Sequence, residues 1–103
     1  MVKAIKDFKE DIVCSRDAYG CHVNIPQRIV RHSPTGFNWG YEGSGPADLA
    51  LNILSVFIGQ EAAESLYQDF KWEFIAPMPY QGGTISRDTI LNWVKREGKR
   101  RFE

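Results

Sequence analysis

A chain of 103 residues with 43% hydrophobic content and thirteen aromatic side chains has material for one packed core, so it reads as a single domain over residues 1–103 and not as a disordered segment. Its formal net charge is zero and its pI is near 6.7, which removes the general electrostatic argument for a nucleic-acid binder. No apolar run approaches the roughly 18 residues needed to span a bilayer, and the opening MVKAIKDFKE alternates charge with apolar residues where a leader would be hydrophobic. The expected location is cytoplasmic, with no membrane partner.

In chain order, Val2, Ala4 and Ile5 hint at a first strand, weakened by the lysines among them. Ile12-Val13-Cys14, the turn Asp17-Ala18-Tyr19-Gly20 and the alternation of Cys21, Val23 and Ile25 predict a hairpin. Pro26 breaks the ladder, and Gln27–Arg31 reads as a further short or edge strand. Cys14 and Cys21 read as free thiols, because a single pair is thin for a disulfide scaffold.

From His32 to Leu54 the chain carries four glycines, two prolines and three large aromatics, and runs straight into a helix. Pro46 suits the first helical position and Asp48 the positive end of the helix dipole. Leu49, Ile53, Leu54 and Phe57, widened by Ala50 and Leu51, predict a largely buried helix that Gly59 ends. A second helix carries Ala62, Ala63, Leu66, Tyr67 and Phe70 on one side, completing a helical hairpin. Trp72, Phe74 and Ala76 alternate like a strand, Pro77 to Gly83 read as a loop, and Ser86 caps a last helix with Ile85 stapled to Ile90. Gly98 closes that helix and leaves a basic tail, 98–103, expected to fray. The sum is an α+β domain: a small, mainly antiparallel sheet of three to four strands packed on about three helices.

Candidate chemistry centres on the connector. In extended backbone Phe37, Trp39 and Tyr41 share one face, able to stack on a base or a peptide ahead of a helix N-terminus that favours anions. The same rings can equally plug the core while the glycines make turns. Neither a phosphate-binding GxxxxGK[ST] nor a GxGxxG unit is present, and no lysine or arginine lies between His32 and Phe70, where five acids stand. From Arg87 onward six cations face three acids, so the chain is polarised; the two segments either complement each other or present an acidic face to a basic partner.

Cys14, Cys21, His22 and His32 are metal-ligand types without the spacing of a common zinc site. His32 beside Ser33, or Cys21 beside His22, lacks a third member and an oxyanion hole, and neighbours on a strand point to opposite faces. No catalytic residue, metal or cofactor is assigned. The residues expected to touch a ligand or partner are His32, Phe37, Trp39, Tyr41, Glu42, Ser44 and Asp48.

The run His32 to Pro46, His-Ser-Pro-Thr-Gly-Phe-Asn-Trp-Gly-Tyr-Glu-Gly-Ser-Gly-Pro, together with Phe70-Lys71-Trp72, resembles the signature of an uncharacterised domain family of small proteins from bacteria, their phages and plasmids, over about residues 19 to 95. The resemblance implies a mobile-element setting, where small neutral or acidic proteins often bind and inhibit host machinery. The leading expectation is therefore a non-enzymatic binding protein, a counter-defence inhibitor with a host protein as partner. The alternatives are a module that captures a small anionic, nucleotide-like ligand in the 32–48 connector, and an unrecognised hydrolase; a nucleic-acid partner is not expected.

Overall fold

A computed structural model describes residues 1–102, with side chains as far as residue 100. Strands β1 (Ile12–Asp17) and β2 (Gly20–Val23) form the expected hairpin, with Asp17 opposite Gly20 and Cys14 opposite Val23. The third strand is β3 (Gly82–Ile85), antiparallel on the other side of β1, giving the order β2-β1-β3. Ile12 and Cys14 point into the core while Val13 and Ser15 face out, the period-two alternation of a sheet covered on one side. Both cysteines are free, and burial, with Cys21 nearby, pushes the Cys14 thiol up to about 11.

Helix α1 (Ser44–Phe70) is the centre of the molecule, every residue from Gly45 to Val56 being buried. A helix wrapped on all sides needs apolar residues around its whole circumference, which this one has except for the stripe Asp48, Asn52 and Ser55 at i, i+4 and i+7. Helix α1 starts at Ser44, so Pro46 lies at its third position and not its first. Gly59, with φ 81° and ψ 161°, ends the first helical segment of α1 as expected, and a second segment follows at once across the kink. The interruption frees the Val56 carbonyl and the Gln60 amide, normally an i, i+4 pair. Residues 2–5 fill the gap: Ile5 N–H donates to Val56 O and Gln60 N–H to Val2 O, each at 2.8 Å. The expected strand at Val2–Ile5 is thus a docked arm.

Three further expectations are corrected. Lys71–Ile75 is a π-helical continuation of α1, closed by Ala76 N–H donating to Lys71 O, and not a strand. Its buried residues are Lys71 and Ile75, four apart, whereas the aromatic alternation of Trp72 and Phe74 mimics a strand. The strand lies instead in the glycine-rich segment read as a loop, because glycine permits the close strand approach that β3 needs. Gln27–Arg31 forms no strand; its backbone groups are taken by side chains of α1.

Helix α2 (Arg87–Phe102) starts as expected at Ser86, whose Oγ accepts from Thr89 N–H at 3.1 Å. It continues through Gly98 to Phe102 where a frayed tail was expected; Glu103 lies outside the described residues. Two helices with a π-helical extension, packed on a three-stranded antiparallel sheet, make the fold α+β. Ser86→Ala should lower stability by about 1 kcal/mol, the usual worth of a helix cap, read from the urea midpoint at unchanged m-value; an unshifted midpoint would contradict the cap.

Candidate functional site

Residues 24–43 cross the surface without regular secondary structure, a length at which a loop needs its own means of satisfying backbone groups. The polar stripe of α1 supplies it. The Asp48 carboxylate, 0% exposed, accepts backbone N–H donations from Arg31 (3.1 Å), His32 (3.0 Å) and Ser33 (2.9 Å), and one from the Gln27 amide. One turn on, Asn52 Oδ1 accepts from the N–H groups of Arg28 and Ile29 while its amide donates to Ile29 O and Asp48 O. The lone pairs of a fully buried carboxyl group are satisfied here by converging backbone N–H groups.

The connector then turns on Gly36 (φ 108°) and Gly40 (φ 86°). The second turn separates the rings that extended backbone would align. Trp39 is 1% exposed, its indole N–H donating to Tyr80 O at 3.0 Å, and Phe37 packs half-buried against the core. Tyr41 remains outside at 47% exposure. A side chain at Gly43 would meet the Tyr41 ring at 2.6 Å, and one at Gly45 would meet Asn38 Cβ at 2.8 Å. The start of α1 is therefore covered by the chain's own connector, and the pocket expected over its N–H groups is filled.

The structure brings Tyr41 together with two residues the sequence reading left out, Arg16 from β1 and Tyr80 from the loop before β3. Arg16 Nε donates to Tyr80 O (2.8 Å), Nη1 to Cys21 Sγ (2.9 Å) and Nη2 to Asn38 Oδ1 (2.9 Å). Its guanidinium lies 4.0 Å from the centroid of the Tyr80 ring and 4.8 Å from that of Trp39. Asn38 Oδ1 also accepts from Trp39 N–H. Arg16, Asn38, Trp39, Gly40, Tyr41 and Tyr80 line a hollow of about 170 Å³. Tyr80 is 67% exposed at its rim.

The surface continues beyond Tyr41. Glu42 is exposed and accepts from the buried Lys71 ammonium at 3.4 Å; that ammonium also lies 5.2 Å from the centroid of the Trp72 ring, itself 55% exposed. Tyr80 and Trp72 are thus exposed rings that each lie against a cation held by other groups of the fold, Arg16 and Lys71 respectively, while Tyr41 shares the hollow of Arg16 and Tyr80. Arg16 was findable: it follows the inward-facing Ile12 and Cys14 on a period of two, so a guanidinium had to be accommodated inside. Tyr80 carried no comparable signal, being distant in sequence and recruited mainly through its carbonyl.

Of the other expected contact residues, Trp39 and Asp48 sit inside and cannot meet a partner while the fold holds. Ser44 is exposed as the first residue of α1, and His32 is exposed with Nε2 2.9 Å from the Tyr67 hydroxyl. Ser33 Oγ donates to Gly36 O, and His22 bonds Asp17, so neither histidine reaches the nucleophile beside it in sequence. Among the described residues no group of three or more His, Cys, Asp or Glu side chains converges as a metal site, and no helix is long and apolar enough to cross a membrane.

A family model described as a family of unknown function, DUF6166, matches residues 4–96. The chain belongs to that family. No curated protein and no solved structure matches it. The match to DUF6166 takes in the end of the arm, β1 with Arg16, the connector, the Asp48–Asn52 clamp and Tyr80, a wider span than the signature alone marks.

Proposed function

We propose that this DUF6166 domain is a non-enzymatic binding protein that acts by protein–protein contact, through the surface formed by Tyr41 and Tyr80 around Arg16. The observation that carries the reading is the pairing of exposed rings with a guanidinium locked by three hydrogen bonds. Tyrosine, tryptophan and arginine dominate binding energy at interfaces, and rings on a pre-set backbone lose little conformational freedom on docking. The separate engagement of His32, Ser33 and Cys21 supports a role without catalysis. A cytoplasmic, mobile-element setting and inhibition of host machinery belong to the same proposal.

A nucleotide is disfavoured by size, since small-molecule pockets start at about 300 Å³ and this hollow holds about 170 Å³. Its guanidinium floor favours a smaller anionic group, such as a partner's carboxylate, over a free cofactor. In a pull-down from host lysate, the wild-type chain should retain a defined protein that the Tyr41→Ala/Tyr80→Ala variant loses, with affinity falling ~30-fold or more. Both rings are exposed, so the variant should keep its native circular dichroism. Capture by both baits, or by neither, would reject the assignment.

A further inference from the structure

The free edge of β3 carries a second surface. Residues of antiparallel neighbours alternate between pairs that exchange both N–H and C=O bonds and pairs that turn those groups the other way. Val13 uses both of its groups on the β2 side: its C=O accepts from Asn24 N–H at 3.3 Å and its N–H donates to Asn24 Oδ1 at 2.8 Å. Ile12 and Cys14 therefore bond β3, through Ile85 and Gly83, and Gly82 and Thr84 turn their groups to the side where the sheet ends. The chain closes that edge at its two ends. Gly82 N–H donates to Pro79 O at 2.9 Å, and just past the strand Ser86 O accepts from Ile90 N–H at 3.0 Å. Thr84, exposed between them, keeps one backbone donor and one acceptor with no partner among the described residues.

A hollow of about 300 Å³ runs along this edge. Four consecutive residues, Gly83 to Ser86, line it; neighbours in a strand face opposite ways, so the edge is what all four share. Phe74, Pro77 and Met78 form the opposite wall. Edges left unpaired are usually guarded by lysine or proline within the strand, and Gly-Gly-Thr-Ile has neither. The occupant that suits such a slot is an extended polypeptide, whose every residue offers a donor and an acceptor on one side. A second copy is the poorer fit, because its β3 arrives with a wall of its own alongside. We propose that β3 takes an extended segment of another protein as a fourth strand. The segment's residue opposite Thr84 exchanges both backbone bonds with it. Its two neighbours, opposite Gly83 and Ile85, turn to the core side, where even a Cβ at Gly83 would lie 3.7 Å from Met78 Cγ, so the segment reads apolar, any, apolar. The edge is separate from the Tyr41–Tyr80 surface and does not depend on its role.

Peptides selected on the immobilised full chain from a display library of random short sequences test this. Enriched peptides should carry two apolar residues around one variable position. Thr84→Pro removes the N–H at the open edge, where proline is tolerated because no bond to β1 is lost, and should weaken their binding about tenfold. Thr84→Val keeps the backbone groups and should bind them as the wild type does. Methylating the backbone nitrogen of the peptide's middle residue should cost as much as Thr84→Pro, and this result decides alone should Thr84→Pro lose its native circular dichroism. The proposal is overturned if no peptide is enriched, or if enriched peptides are indifferent to Thr84→Pro or to the methyl group. It is overturned equally if a second copy already covers the edge, seen as a dimer that Thr84→Pro dissociates.

Discussion

Gly82→Ala is expected to unfold the domain or leave it barely folded. Gly82 has φ 110°, a conformation that side chains rarely adopt, and pairs with Ser15 where β3 begins. An added Cβ would lie 2.0 Å from the Cys14 carbonyl oxygen and 2.7 Å from its carbon. Both are backbone atoms in the central strand, so relief requires β1 and β3 to part. The positive φ and the lost pairing together should cost more than about 4 kcal/mol, a large share of the 5–15 kcal/mol that holds a typical domain folded. Gly83→Ala is the control: its Cβ would meet only Met78 side-chain atoms at 3.7 and 3.9 Å, an ordinary contact. Urea unfolding of the two variants should differ by several kcal/mol; similar midpoints would mean that the strands are not held this closely.

The second large effect concerns the clamp. Asp48→Ala removes the acceptor of three backbone N–H groups and of Gln27, leaving a cluster of donors beside a fully buried position. Each buried donor left unpaired costs about 1–3 kcal/mol, so a loss of ~3–5 kcal/mol is expected after partial hydration of the loop. Asp48→Asn should recover little, because its amide turns one acceptor into a donor facing other donors. The damage should be local first. Limited trypsin digestion should cut after Arg28 and Arg31 in either variant before the core opens, whereas the wild type should resist at both sites. Equal cleavage of wild type and variants would show that the loop is held by something else.

These two residues mark where the sequence was legible and where it was not. The hairpin, the buried helix after the connector and the Ser86 cap rest on local patterns, alternation, helical spacing and a hydroxyl before a helix, and all three stand in the structure. Strand β3 was hidden because GGTI has neither bulk nor alternation; its position is decided by the space beside Cys14 and not by propensity. Lys71–Ile75 was misread for the converse reason: its alternating rings satisfy a strand pattern while the helix before it carries on. In the site, the importance of the connector was visible and its orientation was not. A turn at Gly40 sends Trp39 inward and Tyr41 outward, and a positive φ at one glycine leaves no periodic trace. Asp48 was singled out as an anion at a helix start, yet its carboxylate serves the preceding loop; the stripe it forms with Asn52 and Ser55 was the overlooked clue.

The arm that fills the break at Gly59 also fixes an order of assembly. Residues 2–5 leave the ribosome well before Val56 and Gln60, and cannot make their backbone bonds to α1 until those positions exist and the helix has formed around them. Closure over so long a stretch of chain is a late event in folding. A segment made well before the helix is therefore late to settle, and until it does, the midpoint of the central helix offers one bare carbonyl and one bare amide to whatever extended chain comes first.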